Sequence, residues 1–137
     1  MRRCGAPSRL RPTIPRDEHG RIWLLRRAHH EGAGRWTFPG GFVELGESVE
    51  DAARRETREE IEIEIELEDL VGVYSRAADR VVLVVFAARA LGIPRETEEA
   101  TEVRAFDPAD LPWEELSFWS TTQALRDALA ASETGTA

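Results

Sequence analysis

A glycine turn running into a helix dense with carboxylates constrains this chain more than any other feature. The stretch Gly40-Gly41-Phe42-Val43-Glu44-Leu45-Gly46-Glu47 leads into a segment that contains Arg55-Glu56-Thr57-Arg58-Glu59-Glu60. On a helix, Glu56, Glu59 and Glu60 stand at i, i+3 and i+4 and share one side. Such a cluster repels itself unless positive charge sits against it. The occupant this pattern implies is one or more divalent metal ions, and the group those ions would hold is a phosphate.

The helix is predicted from about Ser48 to Ile61. Ser48 can cap it, with Asp51 three positions on in capping-box fashion. Val49, Ala52 and Ala53 form an apolar stripe, and Glu56, Glu59 and Glu60 are expected to continue it. Asp51, Arg54, Arg55 and Arg58 fall on the other side. The acids are therefore predicted to point where the helix packs. Burying uncompensated carboxylates costs several kcal/mol each, so they require cations or protons.

At 137 residues the chain has room for one core and not for two. Its longest apolar run, Val81 to Ala88, is too short to span a membrane, so no membrane partner is expected. Met1 to Pro7 carries basic residues with no apolar stretch behind them; no signal peptide is read there, and a cytoplasmic location is expected. Cys4 is the single cysteine, which excludes an intrachain disulfide and a cysteine zinc site. A metal must then be held by oxygen, which favours Mg²⁺ or Mn²⁺. His29-His30 sits in a glycine-rich loop and reads as solvated. The formal charge of −8 hides an asymmetry, with twelve acids and three arginines between residues 44 and 69. An acidic chain is repelled by a phosphate backbone, so nucleic acid is not an expected partner.

Residues 1 to 16 are expected to be irregular, because Pro7, Pro12 and Pro15 break any ladder. Asp17 to Gly20 reads as a turn, Ile22 to Leu25 as a buried strand and Trp36 to Phe38 as a short one. After the helix, Ile61 to Leu67 alternates strictly, as a half-exposed strand does. Val71 to Tyr74 continues it, Ser75 to Asp79 turns, and Val81 to Ala90 is predicted as a fully buried strand closing a long hairpin. Val103 to Phe106 is a further strand, and a last helix is predicted from about Thr121 to Ala131 with Leu125 and Leu129 inward. From Ser132 onward the chain is expected to fray. The whole reads as one mixed α/β domain over residues 17–131, between an N-terminal segment 1–16 and a tail 132–137.

Gly41, Glu47 and Arg55-Glu56-Thr57-Arg58-Glu59-Glu60, in this spacing, resemble the Nudix box of the Nudix hydrolases. Trp36-Thr37-Phe38-Pro39-Gly40-Gly41 and Leu24-Leu25-Arg26-Arg27 are also typical of that family. The resemblance extends over roughly Asp17 to Ala131. It implies an α/β/α sandwich around a central mixed sheet, with the box as loop-helix-loop. It also implies hydrolysis of a nucleoside diphosphate linked to another group, with Mg²⁺ or Mn²⁺. Carried onto this chain, Glu56 and Glu60 would be metal ligands beside the backbone carbonyl of Gly40. Glu59 would be a further ligand or the general base, and Glu99 an extra ligand or base from the opposite loop. Glu47 and Arg55 would form a structural salt bridge. Arg27 would contact substrate phosphate, and Trp36 would stack on a base or pack in the core.

Two departures from the family pattern bear on the fold. The glycine expected after the helix is Glu62, for which a left-handed conformation is costly, so the helix is expected to exit differently. The apolar strand expected before Asp17 reads Arg11-Pro12-Thr13-Ile14-Pro15, so the sheet is expected to lack it or pair it poorly. The substrate favoured by the overall pattern is ADP-ribose or a dinucleotide. The alternatives are a nucleoside triphosphate house-cleaning enzyme and a non-catalytic nucleotide-sensing module, with homodimerisation left open.

Overall fold

The structure, a computed structural model, describes residues 8–10, 12–29, 32–41, 43–78 and 81–134. Seven strands form one mixed sheet: β1 (Ser8–Leu10), β2 (Thr13–Arg16), β3 (Ile22–Arg27), β4 (Trp36–Thr37), β5 (Ile65–Ser75), β6 (Val81–Ala90) and β7 (Ala100–Phe106). Two helices accompany it, α1 (Val49–Ile61) and α2 (Trp119–Thr134). β1 and β2 run parallel to β6, while the β5–β6, β2–β3, β3–β4 and β3–β7 pairs are antiparallel. No helix among the described residues is long and apolar enough to cross a membrane.

The sheet separates two cores, as alternation along its strands requires. On β3, Ile22 and Leu24 join a cluster with Trp36, Phe106 and the α2 residues Ala124, Leu125 and Ala128. Leu25, the next residue along the strand, turns the other way onto Ile61, Ile63, Ile65, Ala88 and Ala100. One helix serves each face, which gives the α/β/α layering. A hydroxyl pair between Thr37 and Thr121, 3.1 Å apart, fastens β4 to α2.

The N-terminal segment departs from expectation. Ser8–Leu10 and Thr13–Arg16 are strands, not irregular chain, and both lie along β6. The prolines are accommodated because they lack only a donor, and the ladder uses their other atoms. Pro12 offers its carbonyl to the Phe86 N–H at 3.1 Å, whereas Thr13 N–H faces away from β6 onto the Pro39 carbonyl at 2.9 Å. By the same alternation the Pro15 nitrogen also faces away from β6, so no bond to that strand is lost. Pro7 and the Cys4 segment lie outside the described residues.

The Asp17 turn is tied by its own side chain. The carboxylate accepts the N–H groups of His19 and Arg21, each at 2.9 Å, and Arg21 Nε at 2.8 Å. Burial pushes its pKa up, but the two amides and the guanidinium outweigh that and hold it below the ordinary 3.8. A lowered carboxylate pKa adds stability above the unfolded value, and that stability is lost as pH falls through the folded value. Asp17→Asn is expected to cost about 1 kcal/mol at neutral pH. Urea midpoints of the two proteins should stay apart from pH 7 to about pH 5 and converge only as pH falls below the ordinary 3.8.

α1 begins as the sequence indicates, with Ser48 Oγ accepting the Asp51 N–H at 3.0 Å. Its exit does not follow expectation. Glu62 adopts φ 59 and ψ 41, the left-handed conformation, and its N–H closes the helix on the Arg58 carbonyl at 3.0 Å. The reason lies one residue to either side: Ile61 and Ile63 are both buried in the α1-side core, which forces the chain to reverse between them. A β-carbon in this conformation costs roughly 1–2 kcal/mol. Glu62→Gly is therefore expected to stabilise the fold by up to about 1 kcal/mol, read as a higher urea midpoint at unchanged m-value.

Burial alternates from Ile61 to Leu67 as predicted, although the ladder itself starts at Ile65. The β5–β6 hairpin is present, with irregularities between Leu67 and Gly72. β6 is not fully buried; Val85 and Ala88 are, and most of its other residues are partly exposed. The hairpin extends past the cover of the helices, as Leu70 and Val73 on β5 show at 53% and 58% exposure. α2 is longer than predicted and carries residues 132–134, which were expected to fray; Leu125 is buried and Leu129 packs on its core.

Candidate functional site

Gly40 follows β4 and meets α1 edge-on. Its N–H points at the Glu60 carboxylate, 3.2 Å from Oε2 and 3.4 Å from Oε1. Glu60 is 8% exposed, on the buried side of α1 with Ala53 and Thr57. A Cβ on Gly41 would overlap the Glu56 carboxylate, so only glycine allows that side chain to lie against the turn. The doubled glycine thus serves two purposes, one amide for Glu60 and one bare α-carbon for Glu56.

The Glu56 and Glu60 carboxyl groups lie against each other within hydrogen-bonding reach. Burial raises the Glu60 pKa well above the carboxylate range, and the bond to Glu56, its charge and the charge of Glu99 raise it further. The Gly40 amide opposes this without overcoming it. Glu99 stands on the loop before β7, exposed but near enough for its charge to act on Glu60. That loop is fixed by two bonds: Thr97 Oγ1 donates to the Glu60 main-chain oxygen at 2.7 Å, and Ala28 N–H donates to the Glu99 carbonyl at 3.1 Å. Arg27, at the end of β3, adjoins this loop and lays its guanidinium 5.2 Å from the Phe118 ring centre.

Arg55 supplies the positive charge on the outer side. It grips Glu47 with two bonds, Nε to Oε2 at 2.6 Å and Nη2 to Oε1 at 3.0 Å. Its Nη1 donates to Glu56 at 2.8 Å and Glu59 at 3.2 Å, and Glu44 lies 3.7 Å away. The bonds to Glu47 above all raise the Arg55 pKa beyond its ordinary value. In return Arg55, followed by the Glu44 amide, lowers that of Glu47. The loop-to-helix pair read from sequence is present and extends to a network.

One sequence-derived site residue lies elsewhere than expected, and for a second the structure decides between the two roles the sequence left open. Glu59 does not continue the packing stripe; its side chain is 52% exposed and rests on Arg55, while Thr57 takes the buried position. Successive helix residues are 100° apart, so a stripe holding Ala53, Thr57 and Glu60 swings Glu59 to the rim. Trp36 is wholly buried, edge-on to Phe106 at 5.0 Å, and so has no face free to stack on a base. His29 is exposed, as read, and His30 lies outside the described residues. Gly41 entered the sequence reading as a motif position without a role against Glu56, and Thr97 was not singled out, since nothing in the sequence marked it.

The donor set fits a hard divalent cation: oxygen donors alone, one of them buried with its charge disfavoured by a neighbour of like charge. Among the described residues Glu56 and Glu60 stand as a pair, without a third acid, histidine or cysteine already completing a cluster.

A family pattern described as NUDIX domain matches residues 11–127. The chain is 36% identical over 95 residues to a "MutT-like protein" from Streptomyces ambofaciens, covering 69% of this chain and 60% of that one. It is 35% identical over 102 residues to an "ADP-ribose pyrophosphatase" from Methanocaldococcus jannaschii, covering 70% and 60%. It therefore spans about 60% of the length of each of these relatives. The crystal structure of a NUDIX hydrolase from Nitrosomonas europaea superposes with a TM-score of 0.89 at 30% identity, covering 95% of this chain and 74% of that one. With the pattern matched from Arg11 to Asp127 and the box folded as a glycine turn and acidic helix, the chain belongs to the Nudix family.

Proposed function

We propose that this chain hydrolyses the diphosphate linkage of a nucleoside diphosphate derivative, with ADP-ribose as the first substrate to test and Mg²⁺ or Mn²⁺ as the cofactor. The observation that carries the reading is the Glu56–Glu60 pair, two adjacent carboxyl groups held behind the glycine turn, one on the Gly40 amide and one against the bare α-carbon of Gly41. Glu56, Glu60 and the Gly40 carbonyl are the proposed ligands. An ion held there would neutralise non-bridging phosphate oxygens and lower the pKa of water.

The protein's own groups do the rest. The Gly40 amide, shared between the two Glu60 oxygens, orients that carboxyl group at the turn. Arg55 holds Glu56 from the side opposite the turn, which limits its rotamers before substrate arrives. Glu59 sits at the rim, where water has access, and is proposed as the base that takes the proton of the attacking water. Glu99, across the opening, is the other candidate for that proton. Arg27 is proposed to contact a substrate phosphate, a role its fork of donors suits. The similarity to the Methanocaldococcus protein supports ADP-ribose as first choice.

The test is product analysis on a panel of ADP-ribose, dinucleoside polyphosphates, NADH and nucleoside triphosphates, each with Mg²⁺ or Mn²⁺. AMP and ribose phosphate from ADP-ribose is the expected outcome. Pyrophosphate release from triphosphates alone would move the reading to a house-cleaning enzyme. No turnover on any member with either metal would sink the hydrolase reading.

A further inference from the structure

Thr13 is wholly buried although it carries a hydroxyl, and it touches both halves of the site. Its N–H donates to the Pro39 carbonyl at 2.9 Å. That carbonyl shares one planar peptide unit with the Gly40 N–H, which donates to Glu60. The Thr13 hydroxyl lies 3.1 Å from Thr57 Oγ1. Thr57 spends its single hydroxyl proton on the Ala53 carbonyl at 2.8 Å, so in the Thr pair Thr13 donates and Thr57 accepts. Thr57 directly follows Glu56 and precedes Glu60 by one helical turn, so it sits on the turn that carries both carboxylates.

These bonds close a ring: Thr13 amide to Pro39, Gly40 amide to Glu60, along α1 to Thr57, and back through its hydroxyl to Thr13. β2 is fixed against β6 by the Phe86 N–H on the Pro12 carbonyl. It also abuts the turn, since a Cβ on Gly40 would come 2.7 Å from Pro12 Cα. The direct contacts between turn and helix run through two carboxylates that repel one another. The Thr13 bonds are neutral, so they hold turn and helix in register whatever the charge on that pair. The bond on the Pro39 carbonyl also polarises the shared peptide and strengthens the Gly40 N–H as a donor.

We infer that Thr13 is a positioning residue, which sets the rotation of α1 against the glycine turn and thereby the placing of Glu56 and Glu60. Its consequence for turnover rests on the hydrolase reading above; its consequence for geometry does not. Thr13→Val keeps the branched shape and the backbone N–H and removes only the hydroxyl. Three changes are expected in folded Thr13→Val: Mn²⁺ affinity by calorimetry falls about tenfold, kcat falls by about the same factor, and KM moves less than about twofold. In metal-free protein the Gly40 amide is expected to exchange about tenfold faster with deuterium. Thr13→Ser restores all of these. Thr57→Val reproduces the loss from the helix side, and the double variant is no worse than either single one.

A purely structural role would lower the unfolding midpoint while leaving Mn²⁺ affinity, kcat per folded molecule and Gly40 exchange as in the wild type; that result overturns the inference. If the wild-type chain neither binds Mn²⁺ nor turns over the panel, the hydrolase reading fails, and Gly40 exchange alone decides on Thr13. Unchanged exchange in Thr13→Val then overturns it, and faster exchange upholds it. Should Thr13→Val not fold, Thr57→Val carries the same measurements.

Discussion

Replacing Glu60 by glutamine is expected to lower turnover by at least about 10³-fold while leaving the fold intact. The two effects separate because the side chain has two duties. Structurally it accepts the Gly40 N–H and meets Glu56, and an amide of the same shape can do both, accepting with its oxygen and donating with its nitrogen. The substitution also removes one of two carboxyl groups crowded into a buried site. Stability is accordingly expected to be kept or to rise by up to about 1 kcal/mol. Chemically the amide is a poor ligand for a hard cation, and the charge that ligation needs is gone. Circular dichroism and urea midpoints check the first half; turnover and Mn²⁺ titration check the second. Activity retained at wild-type level would refute Glu60 as a ligand, whatever the fate of the family assignment.

Arg55→Ala is expected to reduce kcat by roughly 10–100-fold and to destabilise the chain by about 1–2 kcal/mol. Arg55 does not face the proposed ions; it pins the loop at Glu47 to α1 and steadies Glu56 and Glu59 from one planar group. Removing it leaves four neighbouring acids, Glu44, Glu47, Glu56 and Glu59, without their shared cation. Arg55→Lys should recover little, because an ammonium is a point charge and cannot hold Glu47 with two bonds while reaching Glu56. Full activity in Arg55→Lys would show that charge alone suffices and the fork does not matter. Kinetics and denaturant unfolding of both variants give the answer.

The local elements were legible because their signals are local. Ser48 before an apolar-periodic run announces a helix start, and the structure has the cap bond. The alternation after Ile61 announces burial on one side, and that pattern holds even before the strand proper begins. The misreadings share one cause: each depended on what another segment supplies. Pro12 and Pro15 looked like ladder breakers until β6 offered a ladder that takes the Pro12 carbonyl and asks nothing of the Pro15 nitrogen. Glu62 looked unfit for a left-handed turn until burial of Ile61 and Ile63 demanded one. Glu59 looked like part of the buried stripe until Thr57 claimed the place by its bond to β2. Trp36 offered the sequence two roles, and packing on Phe106 decided for the core.

By itself the sequence determined the chemistry of the site: which acids share a helix turn, that a glycine doublet precedes them, and that one arginine stands at i,i+4 from Glu59 and beside Glu56. Those relations are set by residue spacing on a regular helix, which needs no tertiary context. Only the tertiary structure decided which carboxylate is buried. Glu60 became the strained member because β2, the Pro39–Gly40 turn and the Glu99 loop converge on it from three separate parts of the chain. A carboxylate's free energy depends on every charge and dipole around it, and no spacing along one helix records those.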